Sequence, residues 1–131
     1  MATSSAGLHE PAECMSPQVI DRHRAIVSIQ EELEAVDWYD QRAAATDDAS
    51  LAAILVHNRD EEKEHASMTL EWLRRHDAVL DKHLRTYLFT DAPVTEIEVE
   101  AEHGEDAGTG SGADPRPADG SLGIGGLKGR P

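Results

Sequence analysis

Cysteine and aromatic residues are scarce in this chain of 131 residues, which has one Cys, one Phe, two Tyr and two Trp. Because Cys14 has no second cysteine in the chain, an intrachain disulfide is excluded and a reducing, intracellular environment is expected. An aromatic fraction of 4% leaves little material for a deep core in a single domain. We therefore expect the chain to need a partner that covers its apolar surface.

Basic residues are also few: 12 Lys plus Arg stand against 26 Asp plus Glu, which gives a formal net charge of −14. Such a balance argues against nucleic acid and anionic membranes as partners, and it favours cations. The first residues, MATSSAGLHEPAECM, have neither a basic start nor an apolar run, so no signal peptide is predicted. No later run is long enough to span a bilayer, and we expect a soluble protein.

Glycine and proline are absent between Gln18 and Ala92, whereas nine of the ten glycines follow residue 103. A stretch without either residue is typical of helices. The predicted helices are Pro17 to Ala45, a second one from an N-cap at Asp47 to about Asp77, and a short third one ending before Pro93. The predicted fold is all-α: an antiparallel two-helix hairpin with a short C-terminal helix, which pairs with a second copy to form a four-helix bundle.

Composition divides the chain into four regions. Residues 1–16 are predicted to be a flexible N-terminus and residues 17–92 a helical domain. Residues 93–120 are predicted to be a short extension and a flexible acidic linker, and residues 121–131 a recognition peptide. The apolar side chains of that peptide, Leu122, Ile124 and Leu127, are separated by glycines, and they either contact pockets on a partner or belong to a frayed end.

An acid and an imidazole interrupt the apolar stripe of the second helix. Steps of four and three residues give the stripe Leu51, Leu55, Asn58, Glu62, His65, Thr69, Trp72. Glu62 and His65 have the Glu-x-x-His spacing of helical di-iron proteins, in which two helices supply this motif and two more supply one Glu each. On the first helix, Glu32 borders the facing stripe, so one chain holds half of such a site and two copies hold all of it.

A simpler interpretation is that these are solvated surface groups, since the same spacing recurs at Glu100 and His103, just before the glycine-rich tail. Further polar residues occur near the motif and form either a solvated face or a path that attracts cations. They are Glu31, Glu34, His57, Glu61 and Glu64. Trp38, Tyr39 and Trp72 are interpreted as core or interface anchors. Tyr39 lies seven residues after Glu32 on the same helix face, where its phenol is expected to approach the metals.

Four segments together resemble the encapsulated ferritins of bacteria: EELEAVDWYDQR (31–42), HNRDEEKEHASMTLEWLRR (57–75), HLRTYLFT (83–90) and SLGIGGLK (121–128). The resemblance implies a ferritin-like ferroxidase that forms an annular decamer, a pentamer of dimers, with a di-iron centre at each dimer interface. That centre would oxidise Fe²⁺ to Fe³⁺ with O₂ for mineral storage inside an encapsulin shell in the bacterial cytoplasm. The alternatives are a divalent-metal-binding cargo protein without redox turnover, or a di-iron peroxidase or electron-transfer protein.

The resemblance also assigns residues. It makes Glu32, Glu62 and His65 the iron ligands and puts Tyr39 beside them. Metal, either iron or another divalent cation such as Ca²⁺, would enter past Glu31, Glu34 and Trp38. A peripheral metal site would consist of His57, Glu61 and Glu64. The shell protein would bind the C-terminal peptide through Leu122, Gly123, Ile124, Leu127 and Lys128.

Overall fold

The computed structural model describes residues 7–108, and these residues form helices and no strand. A 3-10 turn spans Ala12–Cys14, and four α-helices follow: α1 Pro17–Ala45, α2 Ala49–His76, α3 Ala78–Tyr87 and α4 Val94–Gly108. The all-α prediction is confirmed, and the bounds predicted for the first helix are those observed. None of these helices is long and apolar enough to cross a membrane. The chain divides into two compact units after Thr90, so α4 is described by itself.

Side-chain caps fix the ends of the two long helices. Ser16 accepts a hydrogen bond from the Val19 N–H at 3.3 Å, and Pro17 occupies the first helical position, where an N–H would have no intrahelical partner. At the start of α2, the Asp48 carboxylate accepts from the Leu51 N–H at 3.0 Å. The predicted cap was Asp47, which is wrong by one residue, because Asp48 is the residue whose carboxylate reaches the exposed N–H of the first turn.

The α1–α2 hairpin has very little buried apolar surface. Ala66 and Leu73, both on α2, are the only buried residues among those the structure describes, with 8% and 6% exposure. The predicted stripe ran through His65 and Trp72, one position earlier, and both are exposed in the single chain. The most buried side of α2 is therefore the one that carries Ala66 and Leu73. The apolar residues Leu33, Ile54 and Met68 remain more than half exposed.

Arg74 joins the end of α2 to α3. Its guanidinium donates two hydrogen bonds to Glu71, at 2.7 and 2.6 Å, and a further one to Asp81 on α3. Arg74 and then Arg75 lower the pKa of Glu71 to about 2, and Arg74 also lowers the pKa of Asp81. Asp77 caps α3 by accepting from the Val79 and Leu80 N–H groups. Charged groups therefore fix the turn between α2 and α3.

We expect Glu71→Gln to flatten the acid dependence of stability. The folded pKa of Glu71, about 2, lies below its ordinary value of 4.5, so its contribution is present above 4.5 and is lost as the pH falls toward 2. Thermal melts between about pH 5 and pH 2 should therefore show a smaller fall in Tm for the variant than for wild type. Glu13→Gln, in the exposed 3-10 turn, should keep the wild-type slope. Equal slopes for Glu71→Gln and wild type would contradict this assignment.

The segment that follows Pro93 differs from the sequence prediction. Residues 93–120 were predicted to be a short extension and a flexible acidic linker, whereas Val94–Gly108 is one helix and residues 109–120 lie outside the described part of the chain. Pro93, predicted only to stop a helix, begins this one: its carbonyl accepts from the N–H groups of Glu96 and Ile97 at 3.0 and 3.2 Å. The Glu residues of TEIEVEAEH are good helix formers, so this segment is helical although its composition is strongly polar.

Candidate metal centre

Glu32 on α1 and Glu62 and His65 on α2 lie together. Each of the three side chains offers one ligand atom, and these atoms lie within 4.8 Å of one another. Within the described residues this is the one group of three or more acidic, His or Cys side chains close enough to hold a metal ion. The helical spacing puts Glu62 and His65 one turn apart on one face of α2, and the hairpin brings Glu32 across to them.

The contacts within the cluster run both along α2 and across the hairpin. His65 Nδ1 lies 3.2 Å from Glu62 Oε2 and 3.8 Å from Glu32 Oε2. The side chains of Glu32, Glu62 and His65 are 28%, 23% and 46% exposed, so the cluster lies at the surface of one chain. A metal ion bound by these atoms would still be accessible, on the exposed side, to ligands from a second molecule.

The electrostatics of the cluster show two acids held close together. A hydrogen bond with Glu62, followed by burial, raises the pKa of Glu32. The pKa of Glu62 is lowered, first because it accepts a hydrogen bond from Glu32 and further by its contact with His65. The Glu62 carboxylate in turn raises the pKa of His65. A bound cation would be favoured between the two carboxylates, since it compensates both negative charges at once.

Tyr39 and Trp38 lie further along α1 from the cluster. Tyr39 is seven residues after Glu32, a rise of about 10.5 Å along the helix. The Arg42 guanidinium lies 5.7 Å from the Tyr39 ring centre and 5.8 Å from that of Trp38, which are cation–π distances. In the single chain the structure therefore shows both aromatic rings engaged with Arg42.

The other candidate acids are exposed and do not join a three-ligand group in one chain. Glu31 and Glu34 lie on the solvent side of α1. His57 Nε2 and Glu61 Oε1 are 2.9 Å apart, so two of the three predicted peripheral ligands meet one turn apart on α2, while Glu64 is exposed and outside that pair. The peptide residues Leu122, Gly123, Ile124, Leu127 and Lys128 lie outside the described residues.

One contact near the cluster was missed by sequence reasoning. Arg59, three residues before Glu62, donates from Nη1 to Asp40 Oδ1 across the hairpin at 2.7 Å. Its side chain is 23% exposed, well below that of Asp40 at 64%. The available signal was a basic residue one turn before the metal motif, on a face that otherwise carries acidic and apolar side chains.

The comparison with known families decides what kind of protein this is. A profile of the EncFtn-like family matches residues 7–91, which include α1, α2, α3 and the whole cluster. The chain belongs to the EncFtn-like family. The resemblance to encapsulated ferritins is thus confirmed, and the helical hairpin is a ferritin-like fold.

Individual relatives agree with this membership. The EncFtn-like chain is 60% identical over 134 aligned residues to an "Encapsulated ferritin-like protein" of Rhodospirillum rubrum, covering 98% of this chain and 93% of that one. It is 53% identical over 98 residues to a "Ferritin-like protein" of Thermotoga maritima, covering 75% and 86%. It is 34% identical over 97 residues to the "Encapsulin nanocompartment cargo protein EncC" of Myxococcus xanthus, covering 71% and 70%.

A solved structure supports the fold as well. The crystal structure of a protein from Nitrosomonas europaea aligns with a TM-score of 0.66 and 58% sequence identity, covering 67% of this chain and 97% of that chain. The relatives are therefore similar over most of their own length.

Proposed function

We propose that this EncFtn-like protein is a ferroxidase, which oxidises Fe²⁺ to Fe³⁺ with O₂ at a di-iron site shared between two subunits. The observation that carries the proposal is the partly exposed cluster of Glu32, Glu62 and His65, whose ligand atoms lie within 4.8 Å of one another. Helical di-iron sites use two single Glu residues and two Glu-x-x-His motifs, so one chain supplies half of the set. A second copy facing the exposed side would supply the rest.

The donor set supports iron as the substrate. Two carboxylates and one imidazole per chain give an oxygen-rich site with a minority of nitrogen, which suits Fe²⁺, and an all-thiolate site is excluded by the single Cys. The two carboxylates stabilise Fe³⁺ more than Fe²⁺ because the product carries the larger positive charge. Oxidation moves one electron from each Fe²⁺ to O₂, and metal affinity should fall in acid, where protons compete for the carboxylates.

The outer residues would guide metal to this site. In a two-fold dimer, exposed Glu31 and Glu34 from both chains would attract Fe²⁺ or another divalent cation such as Ca²⁺ beside Trp38. His57, Glu61 and Glu64 would form a peripheral site once Glu64 approaches the His57 and Glu61 pair. We propose Tyr39 as a side chain that lies near the irons in the dimer.

The names of the relatives extend the proposal to a shell. Two of them are described as encapsulated or as encapsulin cargo. For this chain we propose an annular decamer, a pentamer of dimers, inside an encapsulin compartment of the bacterial cytoplasm. It would be held there by the peptide residues Leu122, Gly123, Ile124, Leu127 and Lys128, with the oxidised iron stored as mineral.

The deciding experiment follows Fe²⁺ oxidation and O₂ consumption by the purified protein in air. We expect both to exceed the rate in protein-free buffer, and the Asp37→Asn variant, which removes an α1 carboxylate outside the cluster, should match wild type. Fe²⁺ binding without added O₂ consumption would instead identify a metal-binding cargo protein. Turnover of peroxide with a reductant, at the expense of the O₂ reaction, would identify a peroxidase.

A further inference from the structure

The ion pair between Arg59 and Asp40 has a role in the metal centre. We propose that it is a positioning contact, which fixes where Glu32 on α1 lies along the hairpin relative to Glu62 and His65 on α2. The inference rests on the proposed metal site. It does not depend on whether the bound metal is oxidised, because it concerns the geometry of the ligands that one chain supplies.

The two helices that carry the ligands are joined by few charged side-chain contacts. Outside the metal cluster, Arg59–Asp40 is the one ion pair that links α1 to α2 among the described residues, with Nη1 and Oδ1 2.7 Å apart. Arg59 is one turn before Glu62 on α2. A shift of α1 along α2 would therefore break this pair and change the 3.8 Å separation of His65 Nδ1 and Glu32 Oε2 together.

The most buried apolar residues of the hairpin lie on one side of the cluster. The buried residues Ala66 and Leu73 both follow Glu62 and so lie on the side away from the turn. Between the turn and Glu62, no residue of α2 is buried, and α1 has no buried residue along its length. On the turn side, apolar residues such as Val36 and Leu55 are only half-buried, and Arg59–Asp40 is the one ion pair between the helices there.

The charge of Arg59 is already compensated, which points to positioning and not to a direct action on the metal. Its Nε donates to Asp60 Oδ1 at 3.0 Å while Nη1 bonds to Asp40. Two carboxylates thus neutralise the guanidinium, so it adds little repulsion toward an incoming cation. Most of the Arg59 side chain is covered, with 23% of its surface exposed.

The test measures Co²⁺ binding, since Co²⁺ occupies oxygen- and nitrogen-donor sites and has a visible absorption spectrum that reports its ligands. We expect Arg59→Met, which introduces a neutral side chain of similar length, to weaken Co²⁺ binding about tenfold and to alter the Co²⁺ spectrum. Both are measured at temperatures far below the melting point of the variant. Asp60→Asn is the matched control, because it removes the partner of Arg59 on α2 itself and leaves the bond across the hairpin. Its affinity should stay within about twofold of wild type.

Exchanging the two residues makes the test specific. The double variant Asp40→Arg, Arg59→Asp restores an ion pair across the hairpin and should regain most of the Co²⁺ affinity lost in Arg59→Met.

If Arg59→Met does not fold, Asp40→Asn removes the same bond from the exposed side and should show the same tenfold loss. Wild-type affinity and spectrum in the folded single variants, or a folded double variant that stays weak, would overturn the inference. Failure of Fe²⁺ oxidation in wild type would refute only the proposed ferroxidase.

Discussion

Glu62→Gln is expected to lower the rate of Fe²⁺ oxidation in air by about 100-fold or more, since even residues that only support a metal ligand cost 10- to 100-fold when they are changed. Glu62 contacts both other members of the cluster: it accepts the hydrogen bond from Glu32 and lies 3.2 Å from His65 Nδ1. The amide keeps the size of the side chain but removes its negative charge. In a two-subunit site the change would remove two carboxylates from each centre.

The measurement is stopped-flow absorbance of Fe³⁺ together with O₂ consumption, at matched protein concentration and with the oligomeric state determined. Asp37→Asn serves as the control, because Asp37 is an exposed α1 carboxylate whose contact is a hydrogen bond from Gln41 and which lies outside the cluster. Unchanged oxidation in an assembled Glu62→Gln protein would place the chemistry elsewhere. Slow oxidation in both variants would mean that the rate falls because of the change in overall charge.

Leu33→Asp is expected to abolish assembly and, with it, nearly all oxidation. Leu33 follows the ligand Glu32 and is 54% exposed in the single chain, although it is a large apolar side chain. With two residues buried in the described chain, one hairpin alone cannot offset the conformational entropy of folding, so its fold and its assembly should be coupled. A charge in the interface that covers this face would cost more than the lost contact, because the carboxylate would be desolvated.

Light scattering after size exclusion and thermal melts at several protein concentrations would check this. Wild-type Tm should rise with concentration, as it does for proteins whose folding depends on association, whereas Leu33→Asp should be monomeric and melt at a much lower temperature. Leu8→Asp changes an exposed leucine ahead of the hairpin and should leave assembly intact. A stable, fully active wild-type monomer would rule out the shared site.

The features that were predictable from sequence depend on local spacing. The helices α1, α2 and α3 follow from a stretch without Gly or Pro, and the meeting of Glu62 with His65 follows from one helical turn. Bringing Glu32 to them required only that the two helices form a hairpin. The helix α4 was missed because Pro93 was given one role, helix termination, although the proline carbonyl accepts the first hydrogen bonds of a helix.

Features that depend on how two helices meet were not predictable. The buried face of α2 is centred on Ala66 and Leu73, and a stripe drawn from hydrophobicity alone passes one residue away, through His65 and Trp72. The small side chain of Ala66 gives a weak hydrophobic signal, although it is one of the two buried residues. The Arg59–Asp40 pair has no fixed sequence spacing, because a long guanidinium side chain reaches across whatever register the packing sets.

The turn between α1 and α2 lies at the same sequence distance from the two acids of the metal centre. Glu32 lies fifteen residues before Asp47, in the middle of the turn, and Glu62 lies fifteen residues after it. Adding or deleting one residue anywhere between the two acids would move one of them by about 1.5 Å along its helix and rotate it by about 100°, away from its counterpart. Between the two acids, the lengths of the helical segments are therefore fixed by the chemistry at both ends.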